Sequence, residues 1–241
     1  MSHLRRVLSV CLTVSATLAT LAQATPAAAV AGQSWQLVFN DDFNGSSIDA
    51  SKWSVYGIAG STRDRVNASV NNGMLILRTT RVDGQWKGAG VGGSRGLVQT
   101  YGKYEVRARF GAGYGVRAAG LLWPAGGGWP PEVDFYEIDG ADTKRTTNRL
   151  TNHYGATNSM QHASETADFT QWHVVGVEWT PDALRYTLDG VVAVTMTKNV
   201  PNRPMWLALQ SGITGVSAQP GASTPAVVDI DVDWVKIYRR A

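Results

Sequence analysis

Cysteine is almost absent from this sequence: the 241 residues contain one, Cys11. It lies in an apolar run near the N-terminus, which the patterns below assign to a cleaved leader. The remaining chain then has no cysteine, and this excludes a fold that depends on disulfides. Stability must come from packing and hydrogen bonds.

The sequence also lacks a concentrated basic tract. Without Arg5 and Arg6 the 22 basic residues become 20, against 19 acidic residues, and the formal net charge falls to +1. Nothing in this balance favours a nucleic-acid partner. A neutral substrate is the expectation from composition.

The first 31 residues have the three-part pattern of a secretory signal peptide. Arg5 and Arg6 precede an apolar run from Val7 to about Ala22, and small residues follow it. The run is short and interrupted by Ser and Thr, so a membrane anchor is the less favoured alternative. We expect cleavage after residue 31, or earlier near residue 24, export from the cell, and no membrane association afterwards.

Helical periodicity is missing from Trp35 onward, where short alternating runs are separated by Gly, Pro, Asn and Asp. Leu184–Leu188 and Val191–Val194 flank Asp189-Gly190, the dipeptide of a tight β-hairpin. About a dozen strands in some 210 residues are too many for one open sheet. The prediction is an all-β, two-sheet antiparallel sandwich in a single domain, residues 32–241.

The final strand is predicted to have one buried and one solvated face. Val228, Ile230, Val232 and Trp234 alternate with three aspartates, and the last of these is Asp233. A strand with this alternation belongs at the surface of an antiparallel sheet.

Three carboxylates interrupt an apolar strand at Glu132, Asp134 and Glu137. In a regular strand Glu137 would point away from the other two, but a bulge at Phe135-Tyr136 would return it to their face. Glu132 and Glu137 would then be about 13 Å apart at Cα, four steps of roughly 3.3 Å. Side chains leaning inward from that span fit the ~5–5.5 Å between carboxyls in retaining glycoside hydrolysis.

A solvated strand face is the alternative for such acids. Trp123, Trp129 and Tyr136 lie close to them in sequence. Aromatic rings are common platforms for sugars, and a merely solvated strand does not need them. The aromatic residues therefore favour catalysis.

The segment Glu132–Glu137 resembles the E-x-D-x-x-E signature of glycoside hydrolase family 16, the laminarinase, lichenase and agarase group. Phe39–Gly45, Tyr101–Arg107, Trp172–Trp179 and Val232–Tyr238 agree with other family segments in order and spacing. The resemblance covers nearly the whole predicted mature chain. It implies a jelly-roll sandwich of the concanavalin type.

The resemblance also implies roles for the acids. Glu132 would be the nucleophile, and Glu137 the acid that protonates the leaving oxygen and then the base that activates water. Asp134 would hold or share a proton with Glu132. The chemistry requires no cofactor.

Six further residues are candidate substrate contacts. Asn67 and His153 match family positions, Trp129 and Trp123 are candidate stacking platforms, and Arg95 and Gln210 are candidate polar contacts. Three of them have a structural alternative: a turn residue for Asn67, a hydrogen-bond partner for His153 and a core residue for Trp123.

A structural calcium ion is a further implication of the resemblance. Asp233 matches an aspartate of the last strand that binds calcium in many members, and the carbonyl of Gly73 is a candidate partner. An exposed strand aspartate is the alternative.

The leading interpretation is a secreted, monomeric, endo-acting retaining hydrolase of a β-1,3- or β-1,3-1,4-glucan. A β-galactan substrate, a transglycosylase and a non-catalytic sugar-binding sandwich remain open, because fold alone does not fix function. Three convergent acids argue against the binding module, which has no need of them.

Overall fold

The computed structural model of the protein describes residues 34–57, 62–213 and 218–241. They belong to one compact unit, Gly32–Ala241. The predicted leader, with Cys11, lies outside the described residues. Within those residues no helix is long and apolar enough to cross a membrane.

The described chain consists of strands and one short 3₁₀ turn, Arg65–Asn67, as the sequence pattern predicts. The strands are β1 Trp35–Asp41, β2 Ser54–Val55, β3 Ala68–Asn71, β4 Met74–Val82, β5 Gln85–Lys87, β6 Gly90–Gly92, β7 Gly102–Phe110, β8 Val116–Pro124, β9 Glu132–Ile138, β10 Thr147–Tyr154, β11 Ser159–Thr166, β12 His173–Trp179, β13 Leu184–Leu188, β14 Val191–Met196, β15 Met205–Ile213 and β16 Val227–Arg240.

These strands form two antiparallel sheets. The nine-stranded sheet has the order β14-β13-β12-β7-β16-β4-β3, with β1 paired to β16 and β5 to β4. The seven-stranded sheet has the order β11-β10-β9-β8-β15-β6-β2. Strand β9, which carries the three acids, therefore lies between β10 and β8 near the middle of its sheet.

The core lies between the sheets and contains side chains from both. Val106 and Val232 of the nine-stranded sheet and Leu122 and Val133 of the seven-stranded sheet belong to one buried cluster. Burial of this apolar surface replaces the disulfides that the chain lacks. The predicted sandwich is confirmed.

The predicted hairpin is also confirmed. Asp189 and Gly190 join β13 to β14 with φ angles of 50° and 80°. Both angles lie in the left-handed region that a two-residue type I′ turn requires.

The final strand departs from the predicted alternation at its centre. Val228, Ile230 and Val232 are buried, but the register with β7 shifts between Val232 and Trp234. The shift reverses the phase, so Val235 is buried instead of Trp234. The expectation that Trp234 shares the buried face is wrong, because the bulge inserts one residue.

Candidate active site

A bulge in β9 brings the three acids to one face of the seven-stranded sheet. Against β10, Glu137 pairs with Arg149 but Asp134 pairs with Thr151, so β9 has one extra residue in this interval. The pairing of β9 with β8 shifts at the same place. Phe135 and Tyr136 both enter the core, and Glu137 returns to the face of Glu132 and Asp134. The predicted bulge is confirmed.

We call this outer face of the seven-stranded sheet, which bears Glu132, Asp134 and Glu137, the site face. It is opposite the face that packs on the nine-stranded sheet, since Val133 and Ile138 belong to the shared core. Tyr136 is fully buried against Phe110, with ring centroids 5.1 Å apart. The interpretation of Tyr136 as a sugar platform is therefore wrong.

Gly120 on β8 makes the bulge sterically feasible. It pairs with Tyr136, and a Cβ at this position would overlap the tyrosine ring. Any larger residue would force the bulge to move.

Asn148 on β10 fixes the backbone of the bulge from the buried side. Its Oδ1 accepts a hydrogen bond from the backbone N–H of Glu137 at 2.8 Å, and its Nδ2 donates to the carbonyl of Phe135 at 3.2 Å. The same Nδ2 donates to Oε1 of the buried Glu165 at 2.8 Å. Asn148 thus supplies the hydrogen bonds that the interrupted ladder leaves unmade.

Glu132 is held by an aromatic neighbour. Nε1 of Trp129 donates to Oε2 of Glu132 at 2.5 Å. The indole of Trp129 is 44% exposed and stacks on Trp123, with centroids 6.3 Å apart and planes 14° apart. Trp129 therefore both orients a carboxylate and offers an open ring face.

Arg203 holds the loop that presents Trp129. Its guanidinium donates to the carbonyls of Ala125, Gly127 and Gly128. Gly127 and Gly128 have φ angles of 79° and 77°, a conformation that favours glycine.

Glu137 has different neighbours. Oγ1 of Thr151 donates to its Oε2 at 2.6 Å, and the carbonyl of Thr151 accepts from the buried hydroxyl of Tyr186 at 3.2 Å. Nη2 of Arg117 lies 3.5 Å from Oε1, and Nε of Arg149 lies 3.9 Å from Oε2. Glu132 therefore contacts an indole, whereas Glu137 contacts a hydroxyl and two cations.

Asp134 lies between the two glutamates and contacts His153. Its Oδ2 is 3.2 Å from Nε2 of His153, whose Nδ1 lies 2.8 Å from Oδ1 of Asn158. Burial raises the pKa of Asp134 well above its usual range, and the charges of Glu132 and Glu137 act in the same direction. The hydrogen bond with Asp134 raises the pKa of His153 to about 9. Both shifts mean that the pair retains a proton at neutral pH.

The structure places His153, a candidate substrate contact, against Asp134. Its ring also lies 6.0 Å from that of Trp129.

Comparison with known proteins shows the family of this chain. The model of glycosyl hydrolases family 16 matches residues 59–236. The chain belongs to this family.

Several curated relatives carry enzyme names. The chain is 30% identical to an endo-1,3-1,4-beta-glycanase, ExsH, of Rhizobium meliloti over 59% of its own length. It spans 31% of the length of that relative. It is 28% identical to a keratan-sulfate endo-1,4-beta-galactosidase of Sphingobacterium multivorum, over 88% of this chain and 57% of the other. It is 27% identical to a beta-glucanase of Rhodothermus marinus, over 85% of each.

A solved structure supports the fold. The catalytic domain of an endo-1,3-beta-glucanase (laminarinase) from Thermotoga petrophila superposes with a TM-score of 0.75, covering 87% of this chain and 99% of that one. The sequences are 23% identical, so this likeness shows the family 16 sandwich alone.

Other predicted residues of the family 16 site also lie on the site face. Gln210 on β15 pairs with Ala119, which pairs with Glu137. Its Oε1 accepts a short hydrogen bond from Nη2 of Arg63. Trp123 is half-buried beside Trp206 rather than in the core.

Two predicted contacts lie elsewhere. Asn67 is buried, and its Nδ2 donates to the carbonyl of Lys87 at 2.9 Å, so the structure favours the turn alternative over a sugar contact. The guanidinium of Arg95 donates to the carbonyl of Ala50 at 3.4 Å. In the described part of the chain no contact joins Arg95 to the acids.

The candidate calcium residues lie on the nine-stranded sheet. Oδ2 of Asp233 accepts from Nη1 of Arg107 at 2.5 Å, and this guanidinium also lies over the ring of Trp172. Arg107 therefore pairs with Asp233. Gly73 lies in the turn before β4. Residues 34–57, 62–213 and 218–241 contain no cluster of three or more His, Cys, Asp or Glu side chains that could hold a metal.

Sequence reasoning missed two aromatic residues of the site face. Tyr56 and Trp206 pack against Ala119, Leu121 and Ala208. A Cβ at Gly92 of β6 would overlap both aromatic side chains. The Gly-x-Gly pattern of this strand could have indicated these neighbours, because a glycine in a strand often marks a position that a neighbouring group approaches closely.

An open groove of about 490 Å³ borders the site on the Trp129 side. Tyr154, Asn199 and Arg203 contribute to its wall together with Trp129 and Pro130. The rings of Trp129 and Tyr154 in its wall make this groove a candidate surface for further sugar units.

Proposed function

We propose that this chain is a secreted, monomeric, endo-acting glycoside hydrolase that cleaves a β-linked polysaccharide with retention of configuration. The observation that carries the proposal is the β9 bulge, which places Glu132, Asp134 and Glu137 on one open face. A β-1,3- or β-1,3-1,4-glucan is the leading substrate, supported by the relatives named endo-1,3-1,4-beta-glycanase and beta-glucanase.

The first half of the proposed reaction forms a covalent intermediate. A carboxylate oxygen of Glu132 attacks the anomeric carbon while the bond from that carbon to the leaving oxygen breaks. Glu137 gives its proton to the leaving oxygen, so the departing chain leaves as an alcohol. The N–H of Trp129 restricts rotation of the attacking carboxylate.

The second half releases the sugar. Glu137, now a carboxylate, accepts a proton from water as the water oxygen bonds to the anomeric carbon and the ester to Glu132 breaks. Both glutamates return to their starting states. Thr151 keeps the Glu137 carboxyl in one position through both proton transfers.

Asp134 and His153 support this cycle without touching the reacting bond. They retain a proton beside Glu132, which limits the negative charge at the nucleophile when it enters and leaves the ester. Trp123, Trp129 and Trp206 supply ring faces for the sugars on either side of the cleaved bond.

A β-galactan is the second candidate substrate. One relative whose match covers 88% of this chain is named a keratan-sulfate endo-1,4-beta-galactosidase. The name of this relative supports a polysaccharide with β-galactoside linkages as a possible substrate.

A reducing-end assay across neutral β-glucans and β-galactans tests the proposal. We expect new reducing ends from at least one β-1,3- or β-1,3-1,4-glucan and a rapid fall in viscosity, which indicates internal cleavage. Transfer of the glycosyl group to added oligosaccharide, in place of water, would identify a transglycosylase. Absence of cleavage on every backbone would contradict the proposal.

Structural calcium at Asp233 and Gly73 remains a proposal. Because Oδ2 of Asp233 already faces Arg107, an ion would bind through the other carboxylate oxygen and backbone carbonyls such as that of Gly73. No step of the chemistry requires it.

A further inference from the structure

The turn between β10 and β11 places an amide beside the imidazole of His153. Oδ1 of Asn158 lies 2.8 Å from Nδ1 of His153, and Nε2 of the same ring lies 3.2 Å from Oδ2 of Asp134. The amide oxygen can only accept a hydrogen bond, so the ring nitrogen that it meets must carry a hydrogen. One ring nitrogen therefore contacts the turn, and the other contacts an acid of the site.

Asn158 has the backbone conformation of a turn residue without the usual exposure. Its φ angle is 54°, in the left-handed region, and its N–H donates to the carbonyl of Gly155 at 3.2 Å. Residues 155–157 of the turn are exposed, whereas Asn158 is half-buried, with its side chain against His153. Asn72, with a φ angle of 52° in the turn between β3 and β4, is exposed. Turn geometry alone therefore does not account for the contact with His153.

The charges that act on His153 come from β9. Asp134 and Glu132 both favour its protonated form, and burial opposes them. On the other side of β10, Met160 of β11 stands opposite His153, and the titratable His162 lies two residues farther along β11. The acids therefore act on the ring from β9, whereas the hydrogen bond at Nδ1 comes from the turn.

The hydrogen bond at Nδ1 decides where a proton can move. The bond that one imidazole nitrogen makes sets the protonation of the other, so a hydrogen held on Nδ1 leaves Nε2 as the nitrogen that gains and loses a proton. Nε2 faces Oδ2 of Asp134. The pair can therefore consist of a neutral Asp134 and a neutral His153, or of a carboxylate and an imidazolium, at the same total charge.

We propose that Asn158 is a positioning residue, which holds a hydrogen on Nδ1 of His153 and so confines the shared proton to the contact between His153 and Asp134. The inference rests on the proposed function, in which Glu132 is the nucleophile. When Glu132 becomes an ester its negative charge is lost, and the proton passes from Oδ2 of Asp134 to Nε2 of His153, because a carboxylate at Asp134 is no longer opposed. The proton returns when the ester breaks, so the pair gains and loses none.

A titration of the His153 ring by NMR from pH 6 to pH 10.5, in protein labelled with 15N-histidine, tests the hydrogen on Nδ1 without any turnover. The chain has four histidines, of which His3 lies in the predicted leader, so His162→Gln and His173→Gln suffice for the assignment. Above the midpoint, Nε2 and not Nδ1 should be the nitrogen without hydrogen. Asn158→Gly, which suits a φ angle of 54°, should lower the pKa of His153 by about one pH unit.

The pH dependence of kcat/KM on an activated aryl β-glycoside tests the effect on catalysis. Its leaving group needs no proton, so the alkaline limb should report the Asp134–His153 pair and not the acid Glu137. Asn158→Gly should move this limb toward neutral pH by about one pH unit. Asn158→Asp keeps an acceptor oxygen and adds a negative charge, so it should retain the hydrogen on Nδ1 and move the limb to higher pH.

Asn72→Gly is the matched control, an asparagine with a similar φ angle on the other sheet, and it should keep the wild-type ring titration and alkaline limb. A ring without hydrogen on Nδ1, or an Asn158→Gly variant in which either the titration or the limb is unchanged, would overturn the positioning role and leave the hydrolase intact. Failure of the wild type to cleave any glycan or aryl glycoside would instead reject the hydrolase, and the ring titration would still decide whether Asn158 holds the hydrogen on Nδ1.

Discussion

Glu132 and Glu137 are the same side chain in different surroundings, and this difference supports the different roles that we propose for them. The indole N–H of Trp129 binds Glu132, whereas the hydroxyl of Thr151 and two guanidinium groups meet Glu137. The types of the acids and their offset could be predicted from the sequence. Their neighbours could not, because Thr151 and Arg149 reach Glu137 only through the register of β10 with β9.

Replacement of Trp129 separates its two contributions. Trp129→Phe keeps an aromatic face beside Trp123 but loses the donor to Glu132, so kcat should fall by about tenfold or more, as for loss of a hydrogen bond to a charged group. Trp129→Ala should also raise KM. Steady-state kinetics on the best polysaccharide measures both, with Trp172→Phe on the other sheet as control. A wild-type kcat for Trp129→Phe would refute the orienting role.

The Asp134–His153 contact predicts a pH-dependent stability. Because the pKa of His153 is raised to about 9 in the folded protein, from about 6.5 when unfolded, its stabilisation is complete below pH 6.5 and is lost as pH rises through 9. The raised pKa of Asp134 acts in the same direction.

Melting curves of wild type and His153→Gln between pH 6 and pH 9.5 measure this effect. The difference in Tm should be largest at the acid end and smallest at the alkaline end. His162→Gln, at an exposed position of β11, is the control. A difference that increases with pH would contradict the assignment.

At the scale of the element, the bulge in β9 is the feature that brings the three acids together on one face of the sheet. Its existence follows from the sequence, since only one extra residue returns Glu137 to the face of Glu132. The residues that fix the bulge could not be predicted in the same way. Asn148 and Gly120 lie on neighbouring strands, and their spacing from β9 in the sequence does not indicate that they contact it. The expectation that Trp234 lies on the buried face was wrong for the same reason. The face on which Trp234 lies depends on a register shift in β16 that the sequence does not reveal.

Asn148→Ala tests how the bulge is held. Loss of the bonds to Glu137 N–H, the Phe135 carbonyl and Glu165 should cost about 1–3 kcal/mol of stability, because buried polar groups lose their partners. Turnover should fall as well, since Glu137 is no longer fixed.

Asn152→Ala is the matched control for that change. Asn152 is a buried asparagine of the same strand, and it bonds the carbonyls of Lys198 and Asn199 instead of the bulge. It should lower Tm by a similar amount while keeping kcat. Equal kcat losses in the two variants would show that general destabilisation, not the bulge, limits activity.

At the scale of the whole molecule, the two sheets of the sandwich differ in the side chains that they bear. Three arginines of the nine-stranded sheet, Arg78, Arg107 and Arg109, pair with aspartates of β16. The seven-stranded sheet bears the three acids, aromatic rings and two arginines that both face Glu137. Strand periodicity was sufficient to predict two sheets. It was insufficient to assign Arg107 to Asp233, or Arg117 to Glu137, because pairing across strands is set by topology.

The calcium proposal belongs to this scale. Chelation should lower Tm without changing activity at low temperature, because an ion that binds only the folded state stabilises it by mass action. Re-addition of calcium should restore the curve. A melting curve unchanged by chelator and by calcium would show that Arg107 alone balances Asp233.

The unequal roles of Glu132 and Glu137 are tested most directly by azide rescue on an activated aryl β-glycoside. Glu137→Ala should still form the glycosyl intermediate from this substrate, because a good leaving group needs no proton, and azide should then restore turnover. The product should be the β-glycosyl azide, since azide attacks the intermediate on Glu132. Glu132→Ala should have no turnover by this route. An α-glycosyl azide from the Glu137 variant, or normal turnover by both variants, would contradict the assignment.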